Sequence, residues 1–177
     1  MAFFFSRFVG ALVLDAGAFE SVEADRRSAM QSVVIVVAVC IAGGVAALGL
    51  GLTGLAGVVT GTLLSLGAWL IWTATIATLG TIAFPEPQTK SDLAELLRVL
   101  GFAAAPGVFV AFAAMPSAAP FVLVVVAVWM IAAAVVAVRQ ALDYRSTTRA
   151  IVVCTVAGLM SVGVMMAIAL VLSRNVS

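Results

Sequence analysis

Three long uncharged runs divide the chain. They cover Ser28–Pro85, Val99–Val138 and Ala150–Ser173, with 58, 40 and 24 residues, and every charged residue lies outside them. A helix needs about 20 predominantly apolar residues to cross the hydrocarbon core of a bilayer. The runs therefore hold two, two and one spans, and only helices fit, because the runs lack the alternation of barrel strands. This pattern predicts an all-α fold, a polytopic membrane helix bundle with five transmembrane helices.

Glycine and proline place the breaks inside the two longer runs. A glycine-rich stretch from Gly49 to Gly57 predicts a hairpin in the first run, and the two prolines of Met115–Pro120 predict a turn in the second. The five spans are predicted over Ser32–Leu50, Leu55–Ile82, Arg98–Ala114, Phe121–Val138 and Ala150–Leu172. We expect three regions: a cytoplasmic N-terminal segment (1–27), the five-helix membrane domain (28–173) and a short non-cytoplasmic tail (174–177).

The first 14 residues are too few to cross a membrane, but they carry a helical pattern. Ser6, Arg7 and Gly10 form a narrow polar stripe on an otherwise apolar helix, which is typical of an amphipathic helix in the cytoplasmic interface. Packing of the same helix against the bundle is an equal alternative. Asp15–Gly17 is expected to end this helix, and a short charged helix should then lead into the first span.

The composition agrees with a membrane protein and excludes several kinds of chemistry. Hydrophobic residues make up 64% of the chain and charged residues 10%, with a mean hydropathy of +1.27. A net charge of +1 does not fit a general nucleic-acid binder, and the chain has no histidine for the usual metal sites. We expect no nucleic-acid partner, metal or cofactor, and no enzymatic activity, because no catalytic constellation is found. Cys40 and Cys154 are expected to act as small hydrophobic residues.

The basic residues are distributed unevenly over the two sides of the predicted bundle. Five spans place eight of the nine on the side of the N-terminus and leave only Arg174 on the other. The eight are Arg7, Arg26, Arg27, Lys90, Arg98, Arg139, Arg145 and Arg149. By the positive-inside rule, this bias predicts a cytoplasmic N-terminus and an outward C-terminus.

The approach to the third span predicts a capped helix and then a kink. Two prolines should end the second span, and Thr89 or Ser91 can cap a new helix whose leucines recur at helical spacing. Pro106 has no amide hydrogen, so it should kink the third span near the Phe102 carbonyl. We expect Gly101, Phe102 and Pro106 to form this structural kink.

Short motifs in and around the third span point to a known family. The five-span plan and the Gly101-Phe102…Pro106 element resemble the YIP1 domain family, whose members carry a Gly-Tyr/Phe…Pro signature at this place. Glu23–Arg27 and the tract from Trp129 to Asp143 look like bacterial members, and the resemblance covers Phe19 to Leu172. It implies a bacterial inner-membrane protein. The Asp-Leu-Tyr-Gly-Pro element of eukaryotic members, which are tied to Rab GTPases, is absent, so no GTPase role is carried over.

The inner half of the second span is mildly polar. The residues that give it this character are Trp69, Trp72, Thr73, Thr75, Thr78 and Thr81. They could line a path for a small neutral solute or hold a lipid headgroup. The favoured interpretation is an aromatic anchor at the cytoplasmic interface, with threonine hydroxyls bonded to carbonyls of their own helix.

The loop between the fourth and fifth spans is the best candidate surface site. Arg139 and Asp143 are four residues apart and can pair on one helix face. The three arginines of the loop, Arg139, Arg145 and Arg149, could instead bind anionic lipid headgroups or an acidic partner, and Arg98 is a further candidate for the same role. Charge that serves only to orient the protein in the membrane is the favoured alternative.

These features together predict a non-catalytic membrane scaffold or accessory subunit. Its expected partners are the lipid bilayer and other membrane proteins, reached through the cytoplasmic face and through helix faces of small residues. The small-residue pairs are Gly43/Ala47, Gly57/Gly61, Gly101/Ala105 and Gly107/Ala111. The alternative is a small-solute or lipid transporter or channel, which a cavity reaching both faces beside Trp69, Thr73 and Pro106 would favour. The lack of charge within the three runs argues against proton-coupled transport.

Overall fold

The computed structural model describes residues 2–86 and 93–176, with side chains over 3–86 and 93–168. Every regular element in this part of the chain is helical, which confirms the all-α prediction. The helices are α1 (Ala2–Leu12), α2 (Ala16–Ala24), α3 (Ser28–Gly49), α4 (Gly54–Thr78), α5 (Leu93–Ala103), α6 (Ala119–Ala141) and α7 (Thr147–Val176). A π turn (Leu79–Ala83) continues α4, and a 3-10 segment (Ala105–Ala114) follows α5.

Four helices are long and apolar enough to cross a membrane. They are α3, α4 with its π turn, α6, and α7 over Thr147–Ile168. The helix α5 and the 3-10 segment pass the same test together, but their axes meet at 43°. The described residues therefore contain four candidate spans, or five if the bent pair counts as one.

Small residues bring α3 and α4 into close contact. A Cβ atom on Gly61 would lie 2.6 Å from the Ala47 Cβ and 3.0 Å from the Gly44 Cα, and the α3–α4 turn itself uses Gly51 and Gly54 at positive φ. Glycine adopts this conformation without the steric cost of a side chain. The small faces of α3 and α4 therefore pack on each other within the chain.

The bend after α5 lies at Ala104, between Phe102 and Pro106. The Ala104 N–H still bonds to the Leu100 carbonyl, and the chain then tightens, since the Gly107 N–H bonds to the Ala104 carbonyl at 2.7 Å. Proline suits the start of a helical segment, where no amide hydrogen is needed. The 3-10 segment then packs on α3, with Gly107 beside Val39.

The helices α1 and α2 form an antiparallel hairpin that packs on the bundle. Asp15 caps α2 by accepting a hydrogen bond from the Gly17 N–H at 3.1 Å, as its place after the first helix suggests. Phe4 and Phe8 of α1 pack against the main core, and Phe19 of α2 is fully buried. Other apolar side chains of α1 and of the turn that follows it are exposed, namely Phe3, Phe5, Val9 and Val13. The hairpin thus has one face on the protein and another facing outward.

Candidate functional site

Three segments that are distant in sequence meet at one end of the bundle. The α1–α2 hairpin, the start of α5 and the α6–α7 loop exchange hydrogen bonds or electrostatic contacts there, and the end of α4 is tied to the same loop. We call this end the charged face. Its described members are Arg7, Glu20, Glu23, Asp25, Arg26, Arg27, Glu86, Glu95, Arg98, Arg139, Asp143, Arg145 and Arg149.

Arg7 joins the first three helices at the charged face. Its guanidinium donates to the Ser21 hydroxyl at 3.1 Å, the Asp25 carboxylate at 3.0 Å and the Gln31 side chain at 3.3 Å. The Arg27 N–H and the Arg7 guanidinium hold the pKa of Asp25 below its usual value. The polar stripe of α1 therefore faces α2 and α3 at Arg7, a side chain that is only 12% exposed.

Arg98, one of the five predicted partner-binding or lipid-binding residues, is buried in the structure. Its guanidinium donates to the Glu23 carbonyl at 3.1 Å, and its own carbonyl accepts a hydrogen bond from the Ser32 hydroxyl at 2.6 Å. With 8% exposure, Arg98 holds α5 to α2 and α3. Arg98 does not lie on the exposed part of the charged face, because its guanidinium is hydrogen-bonded between α5 and α2.

A group of carboxylates surrounds Glu23. Burial raises the pKa of Glu23 to about 7, and repulsion by Glu95, a hydrogen bond to the Glu95 side chain, and repulsion by Asp143 and Glu20 act in the same direction. Burial and neighbouring negative charges both disfavour the ionised form of a carboxyl group. Glu23 therefore changes its charge near neutral pH, in the middle of the contact between α2, α5 and the α6–α7 loop.

The α6–α7 loop is fixed to the end of α4 by Tyr144 and Glu86. The buried Tyr144 hydroxyl lies 2.7 Å from the Gly80 carbonyl and 2.8 Å from the Phe84 carbonyl. The Glu86 carboxylate accepts from the N–H groups of Arg145 and Ser146 at 3.0 and 3.3 Å. Burial raises the pKa of Tyr144, so its hydroxyl stays a neutral donor. The loop therefore has a defined conformation.

The remaining predicted residues of this loop differ in exposure. Arg139, Asp143 and Arg145 are exposed. Arg149 is partly exposed, donates to the Pro85 carbonyl at 3.0 Å and pairs with Glu86 at 3.7 Å. The predictions for Lys90, for a cap at Thr89 or Ser91, and for the Arg174 side chain concern atoms outside the described residues.

A cavity of about 590 Å³ lies among α3, α4, the 3-10 segment, α6 and α7. Its walls are mostly apolar; the lining includes Trp69, Trp72, Met130 and Gly158, and none of the described lining residues is charged. The lining residues of α3 run from Val39 toward its far end, so the cavity occupies the half of the bundle away from the charged face. It does not reach both faces.

Fully buried side chains separate the cavity from the charged face. Ile76, Phe102 and Val153 have no exposed surface, and Ile35 is 2% exposed. Thr73, which the transporter alternative would place beside a path, donates to the carbonyls of Trp69 and Leu70 at 3.0 and 3.1 Å. Thr75, Thr78 and Thr81 likewise donate to carbonyls four residues earlier, as the favoured interpretation of the threonines predicts.

The three tryptophans differ in their hydrogen bonding. The Trp129 Nε1 donates to the Leu12 carbonyl at 2.9 Å, which ties α6 to the end of α1. The buried Nε1 atoms of Trp69 and Trp72 have no partner among the described residues. Both indoles lie on the cavity wall. They therefore face the interior of the bundle, and the predicted role as an interfacial anchor does not describe their position.

Comparison of the chain with protein-family models, with known proteins and with solved structures finds no match. The similarity to the YIP1 domain family therefore remains a prediction from the motifs around Gly101-Phe102…Pro106 and from the arrangement of the spans.

Proposed function

We propose that the chain is a five-span membrane protein with the charged face in the cytoplasm, acting as a non-catalytic scaffold or accessory subunit. The observation that carries this proposal is the construction of the charged face. Three distant segments are fixed to one another there. They present Arg139 at the end of α6, and Asp143 and Arg145 on a loop whose backbone is held by Tyr144 and Glu86. A surface of this kind can present charged groups to a partner with little loss of conformational freedom.

The bent pair is best counted as a full span. The Arg98 carbonyl of α5 accepts a hydrogen bond from Ser32 near the start of α3, whereas Gly49, at the end of α3, lies directly against the Ala113 carbonyl. The bent pair thus runs alongside α3 from Ser32 to Gly49, which is about 25 Å at 1.5 Å per residue. That distance is close to the thickness of a hydrocarbon core.

The side of the membrane follows from the basic residues. Eight of the nine belong to the segments on the N-terminal side of a five-span plan, which the positive-inside rule assigns to the cytoplasm. In this orientation Arg7 is engaged by α2 and α3 near the cytoplasmic end of the bundle, and the Leu12 end of α1 lies deeper, where the Leu12 carbonyl accepts from Trp129 in the middle of α6. The exposed Phe5 and Val9 of α1 then face lipid. The bacterial inner membrane is the location that the resemblance to the YIP1 domain family supports.

The docking surface can be tested with charge-neutral variants that spare the internal contacts. Arg139→Gln/Arg145→Gln removes two exposed charges and leaves the Arg149–Glu86 pair intact. We expect proteins that co-purify with the wild-type chain, quantified by mass spectrometry, to fall several-fold with this variant and to weaken with salt. Arg174→Gln, on the proposed opposite side, is the matched control. Wild-type yields with the double variant, unaffected by salt, would overturn the docking proposal.

The cavity weighs against the transporter alternative. Transport would need a path open to the charged face, but the packed side chains around Ile76 and Phe102 close that direction. The cavity therefore supports a binding role within the membrane better than a conduction role.

A further inference from the structure

We propose that the cavity binds a neutral lipid-like molecule, made up of a hydrocarbon tail and a carbonyl oxygen that accepts a hydrogen bond from the indole of Trp72 or Trp69. This inference goes beyond the proposed accessory function and does not depend on the charged face. It rests on the juxtaposition of a mostly apolar cavity with two indole donors that have no partner among the described residues.

The chemistry of the walls restricts the ligand to neutral, mostly apolar molecules. No described side chain on the cavity wall is charged, so the described lining does not offset the cost of removing an ion from water. A volume of about 590 Å³ lies within the range of ordinary small-molecule pockets. Lipid hydrocarbon surrounds the bundle, and a hydrocarbon chain suits a cavity with such apolar walls.

The indole groups add a requirement for an acceptor. Trp72 is 7% exposed, and its Nε1 lacks a hydrogen-bond partner among the described residues, a condition that costs free energy in a dry environment. Glycine at position 158 leaves room beside this atom, since a Cβ there would lie 3.9 Å from the Trp72 Nε1. A carbonyl oxygen next to Gly158 would supply the missing partner. An ester and a quinone both provide such an oxygen.

A second cavity suggests how a molecule from the lipid can reach the cavity beside Trp72. A second cavity of about 350 Å³ lies along α4 and α7, and it shares Ala68, Ser161 and Val162 with the first. The Ser161 hydroxyl donates to the Ala68 carbonyl at 3.0 Å and links the two helices beside this entrance. A lipid-like molecule could therefore enter sideways between α4 and α7, without crossing the charged face.

Tryptophan fluorescence provides a direct test. In a Trp129→Phe background, the only emitting indoles are Trp69 and Trp72 on the cavity wall. The protein in phosphatidylcholine nanodiscs is titrated with a diacylglycerol carrying brominated acyl chains and, separately, with decylubiquinone. We expect saturable quenching by at least one probe. Saturation by the diacylglycerol supports an ester ligand, and saturation by decylubiquinone alone supports a quinone.

Two variants connect the binding to the proposed contacts. Trp72→Phe keeps the ring and removes the donor, so the apparent Kd, followed through Trp69, should rise about 2- to 10-fold. Gly158→Leu fills the space beside the indole and should abolish saturation. Gly163→Leu, one turn or so further along α7 where a Cβ meets nothing within 4 Å, should bind like the wild type.

Three results would overturn the proposal. The first is quenching that rises linearly with both probes, which would mean that the indoles meet these molecules only by partitioning. The second is wild-type binding by Gly158→Leu. The third applies if Gly158→Leu fails to insert into the membrane. In that case an unchanged Kd for both Trp72→Phe and Trp69→Phe would overturn the proposal.

Discussion

Glu23 is the residue at which pH should act on this protein. Its pKa is raised from 4.5 to about 7, mainly by burial and then by Glu95. Between these values the folded state binds more protons than the unfolded state, so the free energy of unfolding falls as pH rises. We expect the midpoint temperature of unfolding in mild detergent to decrease between about pH 5 and pH 8, through this group.

Glu23→Gln isolates the contribution of this carboxyl group. Glutamine has the shape of the protonated acid and no charge, so the variant should lose most of the decrease in midpoint temperature over this pH range. Asp15→Asn, at the exposed tip of the α1–α2 hairpin, keeps a capping side chain and serves as the control. An unchanged slope in Glu23→Gln, or a wild-type stability that rises with pH in this window, would contradict the assignment.

The residues that build the charged face could not be identified from sequence because their partners are far away. Arg98 and Glu23 are 75 positions apart, and Tyr144 is 64 positions from Gly80. Arg98 was expected on the surface, since a charged residue at the end of an apolar run ordinarily reaches water. Nothing in the sequence around Tyr144 indicates that its hydroxyl will bond to the carbonyls of Gly80, in the π turn, and Phe84, just after it.

At the scale of elements, the glycine-rich turn was the predictable feature. Gly51 and Gly54 have φ values of +98° and +64°, a conformation that glycine adopts without steric cost. Asp15 was expected only to end the first helix, and it also caps the second by accepting a hydrogen bond from the Gly17 N–H. The antiparallel packing of α1 on α2 was not predictable, because it depends on Arg7 reaching Ser21 and Asp25 and on burial of Phe19.

Pro106→Ala tests whether the bend after α5 is fixed by packing. Pro106 is fully buried at the start of the 3-10 segment, and Gly107 lies against Val39. Alanine would leave a small void and give the unfolded chain more freedom, so we expect a loss of about 1–3 kcal/mol in stability with the bend retained. The midpoint temperature in detergent, together with spin-label distances across the bend, measures both effects.

Pro120→Ala is the matched control for this variant. Pro120 also begins a helix, but it is exposed, so its replacement should have a smaller effect. Co-purification of partners should persist in both variants. A Pro106→Ala variant that is more stable than the wild type and has a straighter helix would contradict this prediction. It would mean that the proline, and not the packing of the bundle, causes the bend.

At the scale of the whole molecule, the position of the α6–α7 loop decides how many times the chain crosses the membrane. Arg145 and Ser146 bond to Glu86 at the end of α4, so the end of α6 and the end of α4 share one side. A re-entrant bent pair would leave four spans and would place these two ends on opposite sides. The hydrogen bonds across the loop therefore favour five crossings, which length and hydropathy alone leave open.

The C-terminus gives the clearest measurement of this difference. Five spans carry Ser177 to the side opposite the charged face, whereas four spans return it to the same side. We expect a reporter fused after Ser177 to be active only outside the cytoplasm, and one inserted after Gln88 only inside. In a Cys40→Ala/Cys154→Ala background, Arg145→Cys should react with a membrane-impermeant thiol reagent only after the cells are opened. If the reporter after Gln88 is active inside, a cytoplasmic reporter at Ser177 together with labelling of position 145 in intact cells would contradict both the five spans and the contact between the loop and Glu86. Reversal of all three results would contradict only the orientation.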